Sequence, residues 1–301
     1  MIKMITYRST FLMTAFVMVL VWTTQSRGNT FRDSLGREVT LDGEPSRIVS
    51  LAPSITEILY FLGLGERVVG VTQFSYYPSD ATRKPKVGSY IELNVEKIIS
   101  LFPDLVIGTV DGNKPGVVDL LNQAGIQVFI VNPRNVKQAM ETIALIGQLC
   151  GVSKKAGLMT RRLNGRVNRI IEAIRTKERP LVFLQINLRP IMTVNKNTIH
   201  HDLIRLAGGR NMTEDEPITY PRISMEEVIR KKPEVIIISS MERGGRFEKA
   251  RQEWLKWGSI PAVKNNRVHL IDSDLIDRAS PRIIDGLEAM ARIIHPETTN
   301  Q

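Results

Sequence analysis

Apolar positions along the chain change period repeatedly, and the changes mark out its elements. Short β-branched and aliphatic runs, Arg47 to Leu51 (RIVSL), Arg67 to Val71 (RVVGV), Leu105 to Gly108 and Val128 to Val131 (VFIV), predict strands. Between them the period lengthens to that of a helix. In SLAPSITEILYFLGLG, Pro53 and Ser54 open a helix, Glu57 sits in its first turn, and Ile55, Ile58, Leu59 and Leu62 supply its apolar positions before Gly63 and Gly65 close it. A further helix begins at Asn94 and another ends at Ala124 with Gly125. Ahead of these, FRDSLGREVTL (31–41) predicts a short hairpin turning at Gly36. Continuous β-branched strands alternating with helices predict a parallel sheet covered on both faces.

From Val136 to Thr176 the strands cease, and two helical patterns follow, broken at Gly151-Val152-Ser153, where Ser153 is placed to cap the second. That second pattern, Lys154 to Lys177, would extend about 35 Å at 1.5 Å per residue, long enough to bridge two lobes. After Pro180 the alternation resumes with strands at 181–186, 192–194 and 268–272 and helices at 198–207 and 281–294. A chain of 301 residues exceeds one typical domain. The expected fold is therefore α/β: two Rossmann-like lobes with central parallel sheets, spanning 29–135 and 180–301, joined through a helical linker at 136–179 that contains one long helix.

One unit occurs twice. LNVEKIISLFPDLVIG (93–108) and ISMEEVIRKKPEVIII (223–238) align without a gap, matching Glu96 with Glu226, Ile99 with Ile229, Pro103 with Pro233 and Asp104 with Glu234. Asn94 or Ser224 is placed to cap each helix, and the glutamate follows in the first turn, where the helix dipole favours a carboxylate. Ser224 and Glu227 also have capping-box spacing.

Charge and the first segment add location. Lys3 and Arg8 precede an uncharged apolar run from Ser9 to Ser26, the layout of an export signal, with cleavage expected after Gly28 and an uncleaved membrane anchor as the alternative. Removing residues 1–28 takes Lys3, Arg8 and Arg27 and no acidic residue from a chain of 41 basic and 31 acidic residues, so the remainder stays basic. Its charges are scattered rather than striped, and an exported chain rarely meets nucleic acid, so a solvated basic surface is the expectation. The single cysteine, Cys150, allows no internal disulfide and no lipid attachment directly after the leader.

The assembled motifs SLAPSITE, LNVEKIISLFPDLVI, YPRISMEEVI and DRASPRI, spread from about Ser34 to His295, resemble the solute-binding proteins of ABC importers that carry one long interlobe helix, and within them the cobalamin-binding members. The resemblance implies an exported, periplasmic, monomeric binder that takes a ligand between its lobes and delivers it to a permease dimer with its ATPase subunits. Ligand positions implied by it are Phe74, Tyr76 or Tyr77, Tyr90, Tyr220, Asp274 and Arg278. Glu96 and Glu226 fall on the positions implied to dock against permease arginines, where charge pairs steer and orient more than they bind. The family's cleft tryptophans are replaced here by Tyr90, Thr109 and Leu275. Cobalamin or a related corrinoid is thus the first expectation, with haem or a ferric siderophore as alternatives and no further cofactor.

Catalytic chemistry finds little support. GLGERVVG leaves a helix for a strand, the reverse of a phosphate-cradling loop, and no Walker lysine or nucleophile elbow is present. No histidine is placed by the sequence to activate Ser54, whose plainer role is a helix cap. Adjacent His200 and His201 would point about 100° apart on a helix and are read as surface polar residues or a cap, not as a metal pair. An enzyme is the remaining, weaker alternative.

Overall fold

The computed structural model describes residues 28–239 and 246–297, so the expected leader, apart from Gly28, lies outside the described residues. The chain opens with an antiparallel hairpin of β1 (Asn29–Arg32) and β2 (Glu38–Leu41). Gly36 makes its turn at φ +80°, a conformation that costs glycine nothing.

The first lobe follows as β3 (Ile48–Ser50), α1 (Pro53–Phe61), β4 (Val68–Val71), α2 (Val95–Ile99), β5 (Leu105–Thr109), α3 (Pro115–Gln123) and β6 (Val128–Val131). Its strands pair in the order β4-β3-β5-β6, all parallel. Two helices then intervene, α4 (Val136–Leu149) and α5 (Ser153–Ile174). The second lobe comprises β7 (Leu181–Gln185), α6 (Ile199–Leu206), β8 (Arg210–Asn211), α7 (Met225–Lys231), β9 (Val235–Ile238), α8 (Arg246–Leu255), α9 (Pro261–Lys264), β10 (Val268–Leu270), α10 (Ser273–Ile276) and α11 (Ile283–Ile294). Its parallel order is β10-β9-β7-β8. Both sheets therefore share one topology: the first strand is internal, the second lies on one side, and the third and fourth lie on the other.

The repeated unit occupies the same place in each lobe, and its likeness extends to atoms. Asn94 accepts from Lys97 N–H at 2.7 Å, and Ser224 from Glu227 N–H at 3.2 Å. Each helix gives way to a residue in the left-handed region, Phe102 at φ +47° and Lys232 at φ +51°, directly before the proline. The acid after the proline then clamps the start of the lobe's first strand. Asp104 accepts from Arg47 N–H at 3.0 Å, and Glu234 from Leu181 N–H at 2.6 Å. The expected capping box is only half made, because the Glu227 carboxylate turns to the Arg230 guanidinium at 2.6 Å.

Several local expectations need correction. Neither Ser54 nor Ser153 caps a helix; Ala52 and Val152 hold those positions without a side-chain bond. Residues 192–194 form no strand, only isolated bridges from Met192 to Asn187 and Arg222. Helix α8 is too polar, and α9 and α10 are too short, to leave a periodic apolar signature.

The linker is packed rather than loose. At 22 residues α5 spans about 33 Å. Gly147 of α4 lies against Ala156 of α5 so closely that a Cβ there would overlap that of Ala156. Arg166 of α5 reaches Asp285 at 2.6 Å and Glu288 at 2.9 Å on α11, fastening the helix to the second lobe. Replacing Gly147 with Leu should lower the unfolding free energy by about 1–3 kcal/mol through overpacking of this contact, measurable by chemical denaturation.

Candidate ligand-binding site between the lobes

In each sheet the strand order reverses between its first and third strands, and open α/β sheets bind ligands outside the carboxyl ends of strands at such a point. Just there a crevice of about 90 Å³ separates the lobes. Its first-lobe wall comes from the ends of β5 and β6, with Thr109, Asp111 and Arg134, and from Tyr90. Opposite stand Ile199 and His200 at the start of α6, together with Tyr220 and Asp277.

Asn113, 6% exposed, builds the first wall. Its carbonyl oxygen accepts from Thr109 N–H at 2.7 Å, while its amide donates to the carbonyls of Leu51 at 3.2 Å and Tyr90 at 3.3 Å. One side chain thereby ties two strand ends to the Tyr90 loop. Gly112 leaves the space that the Tyr90 ring fills, since a Cβ there would overlap the ring. The Tyr90 hydroxyl meets Thr109 Oγ1 at 2.9 Å. Burial pushes the Tyr90 phenol up, and burial followed by the Asp111 charge does the same to Tyr220, so both remain neutral near pH 7. Arg134 grips Asp111 through two bonds of 2.7 and 2.6 Å.

Beside the crevice lies a contact that sequence reasoning missed. Glu57 of α1, 3% exposed, crosses to the other lobe. It accepts from Arg278 at 2.7 Å and Ser280 Oγ at 2.6 Å, with Arg282 at 3.5 Å. Arg278 also pairs with Asp274 at 2.8 Å and lies 5.9 Å from the centre of the Tyr76 ring, while Arg282 covers Tyr77 at 4.3 Å. A chain of buried hydroxyls, Ser50 to Thr56 to Ser75 to Thr72, anchors the root of this aromatic loop at 2.8, 3.0 and 3.0 Å.

The residues expected from sequence therefore fall into three places. Tyr90 and Tyr220 line the crevice. Phe74, Tyr77, Asp274 and Arg278 gather on its flank around the Glu57 contact; Phe74 and Tyr77 are exposed. Glu96 and Glu226 stand exposed in the first turns of α2 and α7. The Glu226 carboxyl is held below the usual carboxylate range by its own backbone N–H and by the Ser224 hydroxyl. Leu275 packs on the core, and Thr109 faces Tyr90, so neither replaces a tryptophan with another flat surface.

His200 requires a correction: it is buried, not a surface residue, and its Nε2 lies 2.8 Å from Asp277. The helix is capped by Thr198 instead. Asp111 and Arg134 were legible in principle, because both sit just beyond strand ends. The Glu57 contact was not, since its partners are separated by more than two hundred positions.

Larger hollows exist elsewhere. One of about 850 Å³ lies between residues 188–191 and α8 beside Trp254, and one of about 960 Å³ lies beyond the end of α5 near Arg179 and Arg267. Neither draws a wall from the first lobe. Drug-sized ligands occupy clefts of about 300–1,000 Å³, so the interlobe crevice must widen to take one.

The chain as a whole is similar to known proteins. The chain matches the periplasmic binding protein family over residues 48–275. It belongs to that family. An ABC transporter substrate-binding lipoprotein of Bacillus subtilis, YvrC, is 34% identical over 277 residues, covering 89% of this chain and 86% of the relative. The crystal structure of a periplasmic vitamin B12-binding protein from Vibrio cholerae superposes with a TM-score of 0.74 at 29% identity, covering 85% of this chain and 99% of that one. A periplasmic haem-binding protein from Roseiflexus, RhuT, gives 0.74 at 26% identity, covering 85% and 100%. The expected two-lobe α/β architecture is thus borne out, and the relatives are substrate-binding transport proteins, not enzymes. The sequence's single cysteine, Cys150, is buried, and burial pushes its thiol up to about 12.

Replacing Glu57 with Ala leaves Arg278 and Arg282 facing each other without their shared counter-charge. The expected loss is about 3 kcal/mol of unfolding free energy, at the lower end for a broken buried pair because Asp274 still holds Arg278; urea denaturation measures it.

Proposed function

We propose that this protein is exported, captures a corrinoid, cobalamin first among them, between its lobes, and delivers it to an ABC importer. The observation that carries the reading is the pair of neutral phenols, Tyr90 and Tyr220, lining a crevice at the strand ends together with Asp111 and Arg134. Aromatic rings suit a flat macrocycle, and the charged pair can exchange its internal bonds for the amide rim of a corrin. The long helix packs on α4 at Ala156 and is tied to α11 through Arg166, so the lobes part by a few degrees about it rather than swinging widely.

A second reading, haem or another anionic chelate, draws on the guanidinium groups of Arg278 and Arg282, whose bonds to Glu57 can be traded for ligand carboxylates. Calorimetric titration of the purified protein with cyanocobalamin, haem and a ferric siderophore separates the two. One-to-one cobalamin binding alone supports the first; binding of haem alone moves the cargo; binding of none overturns both.

Glu96 and Glu226 are proposed as the docking points, one per lobe, for a permease that is itself two-fold. The double change Glu96→Arg and Glu226→Arg should abolish uptake in a reconstituted importer and leave ligand affinity within twofold. Unimpaired uptake would refute the docking role.

A further inference from the structure

We propose that the outer face of α5 is a docking surface for an anionic lipid bilayer, on the side of the molecule remote from the cleft. The inference shares with the proposed function only the placement of this chain at a membrane. Helix α5 turns Ala156, Thr160, Leu163, Val167 and Ile174 inward, where they are buried. Its opposite face exposes Lys154, Leu158, Arg161, Arg162 and Arg169, which spacings of three, four and seven residues keep on one side of the helix. Four cations thus surround one leucine that is 45% exposed. Among the described residues none of the four enters an ion pair, whereas Arg166 on the flank is held by Asp285 and Glu288. The one acid of the helix, Glu172, is taken by Arg175 at 3.1 Å.

The far end of the helix continues the pattern. A hollow of about 210 Å³ opens there against the second lobe, with Ile171 and Leu206 among its apolar lining and Arg175, Lys177 and Arg205 among its cations. No acidic side chain among the described residues lines it; Asp202 and Glu297, which pair with Arg205 at 2.7 Å and Lys177 at 3.7 Å, lie outside. Apolar floor and cationic rim together suit a phosphate carried on an apolar stem, as in a phospholipid.

Topology sets this surface away from the cleft. Arg67 donates to the carbonyls of Cys150 at 2.9 Å and Pro45 at 3.3 Å, so the corner between α4 and α5 sits beside the segment that enters β3. At its other end α5 leads through Pro180 into β7. Both ends of the helix therefore lie near the amino ends of strands, whereas the crevice lies beyond carboxyl ends. Helices α2 and α7 return against the strands, so Glu96 and Glu226 in their first turns stand on the cleft side. A protein lying on α5 presents its cleft to solution and must leave the bilayer to engage a permease.

Charge decides the occupant. A second copy of this chain would set cation against cation across a two-fold axis. An anionic bilayer supplies an extended negative field for the four cations and an apolar layer for Leu158. Each basic group close to such a surface strengthens attachment about fivefold, and salt screens the attraction beyond about 10 Å.

The test places a polarity-sensitive fluorophore on Leu158→Cys and, as a control, on Leu120→Cys of α3, which is 52% exposed. Cys150 is buried with its thiol pushed up to about 12, so only the introduced cysteine is labelled. On vesicles of phosphatidylglycerol and phosphatidylcholine the label at 158 should shift to the blue and return with added salt, while the label at 120 stays unchanged. Phosphatidylcholine alone should shift neither, and a retained leader would insert into both kinds of vesicle without regard to charge. Adding Lys154→Gln, Arg161→Gln, Arg162→Gln and Arg169→Gln together should weaken the response about 100-fold with the urea midpoint preserved. Equal responses at 158 and 120, a shift on phosphatidylcholine alone, or an unchanged response in the glutamine variant would overturn the proposal. So would a shift with heparin but not with vesicles, which would make the partner a soluble polyanion. None of these outcomes bears on cargo binding, which calorimetry reads separately.

Discussion

A carboxylate inside a protein must be paired, and Glu57 finds its partners only on the opposite lobe. Its two oxygens are taken by Arg278 and Ser280, with Arg282 alongside, so burial of this carboxylate depends on residues 278–282 for its partners. The rest of the interlobe region is arranged about that contact. Arg278 carries Asp274 with it and approaches Tyr76, Arg282 lies over Tyr77, and the hydroxyl chain from Ser50 to Thr72 fixes the aromatic loop to the α1 side.

Two copies of one βα unit, placed identically in two sheets of identical strand order, give the molecule an approximate internal symmetry. The matching left-handed residues, Phe102 and Lys232, and the matching strand clamps, Asp104 and Glu234, make it a symmetry of backbone and not only of sequence. Its outward expression is one exposed glutamate on each lobe. Its inward expression is a cleft walled on one side by the ends of β5 and β6 with Tyr90 and on the other by the start of α6 with Tyr220 and Asp277, while the linker packs through Gly147 and Arg166.

Much of this was legible in the chain. The parallel strands, the long linking helix and the duplicated unit all follow from apolar period and punctuation, because burial on two faces and helix caps act locally. What escaped was non-local. Glu57 reads from sequence as a first-turn acid, yet the first turn of α1 holds no acidic residue and Glu57 lies beyond it, paired with a remote arginine; His200 reads as a surface residue until Asp277 folds against it. Helix α8 packs its polar sequence through Trp254, which is nearly fully buried and donates to Gln185 at 2.7 Å, a contact no periodicity foretells. The Tyr90 and Tyr220 assignments came from family resemblance, and the structure places both at one crevice.

The account stands on ligand capture between the lobes, although the crevice there is far smaller than the hollow beside Trp254. The measurement that bears on this most directly is a crystal structure of the protein grown with cobalamin or haem. The account predicts the macrocycle between Tyr90 and Tyr220, with the lobes parted about α5. A macrocycle seated against α8 and residues 188–191, with the Glu57 contact and the crevice unchanged, would contradict it.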